Sequence, residues 1–337
     1  MSTLRRRALF TAALALSATT TLTACGGDAD ADSAPAATSG TSKVKIAVAT
    51  GDPYTETTID VPVQSDIRSQ LPQKILDSGE LVIGVGSLPS GFPPLAFTGT
   101  DAKTITGAEP DLGRLVAATL GLTPKVSNVT WENLFVGIDS GRNDVGFSNI
   151  TDTEERKAKY DFASYRKDEL GWEVSKDSTW NFDGDYENLA GLTVSVGAGT
   201  NQEKILLEWK KKLEAEGKKL EVKYYTDHNG STLALASGKI DAYFGPNPGI
   251  QYAIARGAAG STPTRSAGTY SGAGESLQGL IAATSKKDSG LNEPVAAAIN
   301  YLIANGQYDA WLKAYNLQNE AVEKSEINPP GLPLDNS

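Results

Sequence analysis

The sequence is poor in the residues that supply covalent cross-links and metal ligands. Its 337 residues include one cysteine, Cys25, and one histidine, His228. A lone cysteine has no partner for an intramolecular disulfide, so a hydrophobic core must hold the fold together. No His/Cys/Asp cluster with metal-ligand spacing and no G-x-S-x-G nucleophile motif is present. We therefore expect neither a metal nor another cofactor.

Long apolar runs and positive charge are also scarce. Beyond residue 25, no apolar run approaches the roughly 20 residues of a membrane-spanning helix. The formal net charge is −10, and it becomes −13 without residues 1–24, which carry three arginines and no acidic residue. A negative surface argues against a nucleic-acid partner. The length favours about two domains with substantial cores.

The first 25 residues have the pattern of an export signal. Arginines at positions 5–7 precede a short apolar stretch, and the tetrapeptide LTAC at 22–25 matches the lipobox of bacterial lipoproteins. This predicts a signal peptide over 1–24 and a lipid on Cys25 that anchors an extracytoplasmic protein to the outer face of the cell membrane. An ordinary secretory signal with an incidental cysteine is the alternative. The arginines leave both the general and the twin-arginine export routes open.

Two segments separate this signal from the rest of the chain. Residues 25–42 are small and polar and include a proline, which predicts a disordered tether. Residues 43–79 are assigned to an N-terminal extension, with an alternating strand at the start and a helix near Pro72–Ser78, packed outside the core.

The segment 131–165 combines three structural signals. Leu134, Phe135 and Ile138 have helical spacing, which predicts a helix over Trp131–Ser140 with one buried face. A turn and a short strand, 145–147, follow, and then hydroxyl and amide residues and Arg156. In open α/β sheets ligands bind beyond the carboxyl ends of strands. An arginine at that point suits a carboxylate.

From residue 81 onward, apolar strands alternate with helical stripes. Residues 81–85 predict a buried strand, and Pro110 opens a helix with a stripe at Leu112, Leu115 and Val116. Alternating strands and helices favour parallel-rich sheets. The lysines at 210–212 are expected on a solvated helix face.

The segment 131–165 resembles family 3 of the bacterial extracellular solute-binding proteins, the amino-acid receptors of ABC importers. The resemblance rests on residues in the family's order and spacing: Ser140-Gly141, Asp144-Val145, Ser148 to Thr151, Thr153, Glu155-Arg156, Asp161-Phe162 and Tyr165. It implies an α/β, two-lobed periplasmic-binding-protein-like fold of type II, with two crossovers and a ligand cleft between the lobes. Lobe 1 would comprise 80–167 and 276–318, lobe 2 would comprise 168–275, and 319–337 would form an extended tail.

The resemblance also implies a set of ligand-binding residues. Arg156 falls on the arginine that holds the ligand carboxylate; the alternative is a surface arginine that pairs with a neighbouring glutamate. The other implied positions are Thr151, Ser148 and Asn149 beside it, the aromatic residues Trp131 and Phe92, and Thr200 and Asn201 at a glycine-rich helix start. That helix start would offer free N–H groups to an anion.

Two positions depart from the family pattern. Pro246 and Gly86 stand where the family usually has acidic residues that pair with the ligand ammonium. Proline has neither charge nor an N–H donor. Asn247 is the candidate for a neutral replacement. Because the ligand ammonium would otherwise lack its usual partner, the expected ligand is an amino acid or an amino-acid-like carboxylate, either an atypical amino acid or a carboxylate whose amine is modified or absent.

The expected function is a monomeric receptor that delivers this ligand to an ABC permease. One alternative is an enzyme on the same fold, similar to cyclohexadienyl dehydratase, and another is a protein that presents ligand to a sensor. A catalytic acid or base would be needed for an enzyme. We expect His228 to face solvent in a loop, and Glu109 and Glu173 to be surface or cleft-mouth residues.

Overall fold

The computed structural model describes residues 39–51 and 53–335, and in them the chain forms two lobes. The predicted signal peptide, Cys25 and tether residues 25–38 lie outside the described residues. Each lobe contains one five-stranded sheet with helices packed on it. The predicted two-lobed α/β architecture is confirmed.

Strands and helices alternate along most of the chain. The strands are β1 (Thr41–Val48), β2 (Thr55–Pro62), β3 (Glu80–Gly86), β4 (Phe97–Thr98), β5 (Ile105–Thr106), β6 (Thr123–Val129), β7 (Val145–Gly146), β8 (Tyr160–Lys167), β9 (Glu169–Ser175), β10 (Thr193–Val196), β11 (Glu221–Tyr224), β12 (Ala242–Pro246), β13 (Thr264–Ser271) and β14 (Leu280–Lys286). The helices are α1 (Ser65–Arg68), α2 (Gln73–Ser78), α3 (Ala108–Thr119), α4 (Trp131–Asp139), α5 (Asn201–Ala215), α6 (His228–Ala236), α7 (Asn247–Gly257), α8 (Asn292–Ala304) and α9 (Gln307–Ala314).

The two main sheets have the same design. Lobe 1 has the strand order β6-β3-β7-β14-β8, and lobe 2 has the order β11-β10-β12-β9-β13. In lobe 1 only β14 runs against the other strands, and in lobe 2 only β9 does. These two strands follow the two crossovers, because the chain passes from β8 to β9 and from β13 to β14. The expected parallel-rich sheets are therefore present, and each contains one antiparallel strand contributed by a crossover.

Each lobe has its own hydrophobic core. In lobe 1, α3 is buried all along its length and packs between β3 and the C-terminal helices. In lobe 2, aromatic rings fill the core: the rings of Trp172 and Phe244 stack with centroids 4.2 Å apart, and Trp209 lies next to both. Stacked aromatic pairs contribute beyond the area that they bury. The buried residues of the two lobes form separate clusters.

The N-terminal extension is part of the lobe 1 core, contrary to the expectation from the sequence. Strands β1 and β2 form an antiparallel hairpin, and β1 already begins at Thr41, inside the segment assigned to the tether. Ile46 and Val61 belong to the same buried cluster as α3. The N–H of Ala47 donates to Asp111 Oδ2 over 3.0 Å. The second strand was missed because β2 is mainly threonine and acidic residues, with only alternate apolar positions.

The C-terminal segment packs along both lobes. After a 3-10 turn at Gln318–Glu320, it forms bridges from Ile327 to Ala163 and from Leu332 to Thr153. Leu332 is fully buried in the lobe 2 cluster, and Lys204 of α5 donates to the Pro333 carbonyl. The segment is extended as expected, and it also contacts both lobes.

No helix within the described ranges has the length and apolar character that a membrane span requires.

The position of β1 in the core generates a stability prediction. We expect Ile46→Ala to lower the free energy of unfolding by about 2–4 kcal/mol, because it removes buried methyl groups and leaves a cavity. Thr58→Ala, at an exposed position of the paired strand β2, is the control and should change stability by less than about 0.5 kcal/mol. Urea unfolding of both variants is the measurement. Equal stabilities would mean that the hairpin does not contribute to the lobe 1 core.

Candidate functional site

A cleft of about 500 Å³ lies between the lobes, within the size range of small-molecule sites. Residues that follow the carboxyl ends of β3, β7, β10 and β12 line it, as do residues at the start of α4 and α6. Both sheets direct their parallel strands towards this cleft, which is the place where open α/β sheets bind ligands. The loop from Ser87 to Ala96 forms one wall.

Most of the residues predicted from the sequence lie on this cleft. Six of the nine predicted ligand-binding residues line it: Phe92, Trp131, Ser148, Asn149, Thr200 and Asn201. The other three, Arg156, Thr151 and Asn247, are not among its lining residues. Gly86 and Pro246, which depart from the family pattern, also line it.

Arg156 lies behind Trp131 and connects the two lobes. Its Nη1 donates to the Thr151 carbonyl over 2.9 Å, and its Nη2 donates to the Gly199 carbonyl of lobe 2 over 3.1 Å. The guanidinium also lies over the ring of Phe135, 5.3 Å from its centroid. Burial lowers the pKa of Arg156 to about 10, so the side chain stays charged at neutral pH. Both hydrogen-bond acceptors are neutral carbonyls, and the nearest negative charges are the carboxylates of Asp168, Glu155 and Asp152.

Thr151 and Asn201 both donate to a buried carboxylate, and of the two only Asn201 also lines the cleft. The Thr151 hydroxyl donates to Asp168 Oδ2 over 2.7 Å, and Asn201 Nδ2 donates to the same oxygen over 3.0 Å. Asp168 lies at the first crossover between the lobes, and burial raises the pKa of its carboxyl group. Gly272 lies at the second crossover, and a Cβ there would overlap the Asp168 carboxylate. The Thr151 hydroxyl therefore donates its hydrogen to a residue of the hinge between the lobes and not to the cleft.

The glycine-rich start of α5 is partly occupied by protein groups. The Thr200 hydroxyl accepts from the Glu203 N–H over 3.2 Å and donates to the Gly197 carbonyl over 2.6 Å. The Gly199 N–H donates to Glu203 Oε2 over 2.6 Å. This pattern resembles a capping box, except that Glu203 binds the N–H of the residue before the N-cap Thr200. The Glu203 carboxylate therefore stands at the helix start that the sequence predicted for a ligand anion.

The structure argues against the role expected for Asn247. Its Nδ2 donates to Glu169 Oε2 over 2.8 Å, and its Oδ1 accepts from Gln251 Nε2 over 3.0 Å. Both ends of the amide are thus bound away from the cleft. Asparagine was expected to face the ligand because it follows Pro246, but as the first residue of α7 it turns back along the helix.

Glu109 was expected near the surface, and this is wrong: the side chain is buried at the floor of the cleft. Its Oε1 accepts from Arg166 Nη2 over 2.7 Å, and its Oε2 accepts from the Asn149 N–H over 2.8 Å and from the Tyr165 hydroxyl. Arg166 also pairs with the buried Glu320. The network holds the loop after β7 in place, and the Asn149 side-chain oxygen is bound to Arg166.

His228 and Glu173 also differ from the expectation. Glu173 is fully buried in β9, and its Oε2 lies 2.6 Å from His228 Nε2. The imidazole lines the cleft with its side chain only 10% exposed, and it stacks on Tyr243 with ring centroids 4.7 Å apart. Asp227 caps the first turn of α6 and so orients the histidine inward. No local pattern around His228 could have shown a partner 55 residues away in the chain.

Within residues 39–51 and 53–335, no group of three or more His, Cys, Asp or Glu side chains is placed to hold a metal ion.

This geometry defines a two-lobed α/β binding protein with a cleft at its hinge. The model of the bacterial extracellular solute-binding proteins, family 3, matches residues 83–318, and the chain belongs to that family. The L-cystine-binding protein TcyJ of Escherichia coli (strain K12) is 30% identical over 258 residues, which cover 75% of this chain and 86% of that protein. The arginine-binding protein ArgT of Corynebacterium glutamicum is 27% identical over 266 residues, 78% of this chain and 83% of that protein.

A solved structure shows the same fold. An ancestral arginine-binding protein bound to arginine superposes with a TM-score of 0.60 at 23% identity, covering 70% of this chain and 98% of that chain.

The turn that carries Arg156 contains a titratable group with a strong effect on stability. Asp152 is buried, with Lys157 Nζ 3.4 Å from its Oδ1, and burial raises the pKa of its carboxyl group to about 7. An acid whose pKa is higher in the folded state stabilises the fold when it is protonated. The stabilisation by the protonated Asp152 carboxyl group is complete below about pH 4, which is the pKa of the group in the unfolded chain. This stabilisation is lost as the pH rises to about 7.

We expect Asp152→Asn to abolish this fall in stability with rising pH, because the amide stays neutral. Relative to the unmodified protein, the free energy of unfolding of the variant should increase as the pH rises from 4 to 8, by up to about 4 kcal/mol. Urea unfolding at several pH values measures the difference, and Asp309→Asn, at an exposed position, is the control. A variant with the same pH dependence as the unmodified protein would contradict the assignment.

Proposed function

We propose that the protein is the substrate-binding receptor of an ABC importer and binds an amino acid between its two lobes. The observation that carries this proposal is the cleft at the carboxyl ends of both sheets, with Arg156 behind it in a chain of this family. The named activities of TcyJ and ArgT, which bind amino acids, support it. A receptor needs only to bind the ligand, close and dock on a permease.

Arg156 is the proposed ligand for the α-carboxylate. Its Nη2 is bound to a neutral backbone carbonyl, Gly199 O, between two residues of lobe 2 that line the cleft. A carboxylate is a stronger acceptor than a carbonyl and can bind an arginine fork through two oxygens. The incoming carboxylate would replace the Gly199 carbonyl on Nη2, while Ser148 and the first turn of α5 lie close by.

The contacts between the lobes support a closing motion around the ligand. Phe92 of lobe 1 packs into the space left by Gly249 of α7, where a Cβ would overlap its ring. Trp131 Nε1 donates to the Gly199 carbonyl over 3.3 Å. Hinge closure of this kind buries a ligand between lobes. We propose that the permease recognises the closed form.

Substitution of Arg156 tests the carboxylate assignment. We expect Arg156→Ala to weaken amino-acid binding at least about 30-fold, because loss of one partner of a buried charge pair costs about 2–5 kcal/mol. Isothermal titration with the amino acid found in a thermal-shift screen is the measurement. Arg142→Ala, at an exposed arginine of the same segment, should bind normally. Unchanged affinity in Arg156→Ala would place the carboxylate elsewhere.

The enzyme alternative is separated from the receptor by the fate of the ligand. The buried Glu173 beside His228 is a carboxylate–imidazole pair of the kind that catalyses proton transfer. A receptor returns the bound amino acid unaltered after hours of incubation, as chromatography of the released ligand would show. Formation of a product would contradict the receptor proposal.

The lipid anchor is a proposal about Cys25, which lies outside the described residues. The LTAC tetrapeptide that ends in this single cysteine supports it. A chain with one lipid-modified cysteine would be tethered to the membrane by residues 26–38 and the segment that follows.

Substitution of this cysteine tests the anchor. We expect Cys25→Ser to move the protein from the membrane fraction to the soluble fraction of the producing cells, because no acceptor for lipid remains. Ser33→Ala, in the proposed tether, is the control and should stay with the membrane. If Cys25→Ser also stays with the membrane, the cysteine is not the anchor.

A further inference from the structure

One end of the cleft is formed by an imidazole that a buried carboxylate holds in place. This His228 subsite consists of His228, Glu173, Tyr243 and Phe92. The ring of His228 stacks on Tyr243, and the Phe92 ring meets it edge-on with centroids 5.8 Å apart. Phe92 belongs to lobe 1 and the other three belong to lobe 2, so the subsite is complete only when the lobes come together.

The hydrogen bonds of Glu173 define what the imidazole can offer a ligand. Glu173 Oε1 accepts from the Thr264 hydroxyl over 2.6 Å, and Oε2 faces His228 Nε2 over 2.6 Å. An ionised carboxylate only accepts, so Nε2 carries the hydrogen. In the neutral imidazole, Nδ1 then has a free lone pair. Within the described part of the chain, Nδ1 forms no hydrogen bond, and the ring lines the cleft.

The charges around the cleft favour a cation. Three carboxylates are among its lining residues, those of Glu109, Glu132 and Asp227, and Glu173 stands behind His228. Arg166 is shared between Glu109 and Glu320, and among the described residues no lysine or arginine pairs with Glu132, Asp227 or Glu173. Among the described residues that line the cleft there is no lysine or arginine. Aromatic rings, which attract cations through their faces, supply much of the remaining wall.

We propose that the cleft selects amino acids whose side chain ends in a positively charged hydrogen-bond donor, and that His228 Nδ1 accepts from that group. Glu173 is the positioning residue, because it fixes the tautomer and adds negative charge behind the ring. A negatively charged side chain would be repelled, and a neutral one would leave the carboxylates uncompensated. This inference rests on the proposed function, since it concerns the specificity of the same cleft.

Two pairs of amino acids of matched size test it by isothermal titration. L-Arginine is compared with L-citrulline, its neutral analogue, and L-lysine with L-norleucine, which lacks the side-chain ammonium group and keeps the α-ammonium group. We expect the cationic member of at least one pair to bind about tenfold more tightly or better, as a charge-assisted hydrogen bond provides. His228→Phe and Glu173→Gln should each reduce this ratio to about threefold or less. Asn229→Ala, an exposed neighbour on α6, should preserve it.

The outcomes separate the two proposals. If the protein binds amino acids but the neutral member binds as well as the cationic member in both pairs, only the cation inference is overturned. If the ratio survives in both His228→Phe and Glu173→Gln with the fold intact by circular dichroism, His228 is not the recognising residue, and the inference is overturned. If the unmodified protein binds no amino acid, the proposed function fails and the inference fails with it.

Discussion

The two-lobed structure depends on the carboxylate of Asp168, which lies where the chain first crosses between the lobes. Thr151 of lobe 1 and Asn201 of lobe 2 both donate to its Oδ2. Its backbone N–H donates to the Gly279 carbonyl, and its carbonyl accepts from the Gly272 N–H, so both crossovers are joined at this residue. A buried carboxylate must keep its hydrogen-bond partners or lose several kcal/mol. The hinge is therefore specified by polar contacts and not by a shared apolar core.

A second buried network connects the floor of the cleft to the C-terminal segment. Arg166 pairs with Glu109 under the cleft and with Glu320 in the 3-10 turn after α9. Burial raises the pKa of Glu320 to about 7, in opposition to the attraction of Arg166. Substitution of either acid would leave the buried Arg166 guanidinium without one of its two negative partners. The resulting loss of stability exceeds the net stability that an intact buried ion pair contributes. The end of the chain thus affects the loop that lines the ligand site.

Much of this architecture could be predicted from the sequence, because local patterns and a family motif carry it. The helix at Trp131 and the strand at residue 81 follow directly from apolar spacing and appear where expected. Strand β2 was not predicted, because most of its residues are polar and its few apolar residues do not form a clear pattern. Only its pairing with β1 identifies it as a strand. Residues 43–79 were placed outside the core because the family resemblance covers only the chain from about residue 80 onward.

The part of the site that could not be predicted consists of contacts between residues far apart in the chain. Glu173 and His228 are 55 residues apart, so no local pattern could show that they pair. Asn247 was assigned by its position after Pro246, but the assignment could not include the competing partners Glu169 and Gln251. A motif places a backbone position near the cleft; the packing of the lobe decides which way its side chain turns.

The contacts between the two lobes indicate how a ligand could favour closure. The lobes meet through contacts to glycines: Phe92 against Gly249, and Trp131 and Arg156 on the Gly199 carbonyl. Because glycine has no side chain, the two surfaces can approach closely at these points. A ligand shifts such an equilibrium by its difference in affinity for the two forms. Arg156 belongs to lobe 1 and His228 to lobe 2, so a molecule that contacts both can do so only when the lobes are closed. Such a ligand would bind the closed form more tightly and shift the equilibrium towards it.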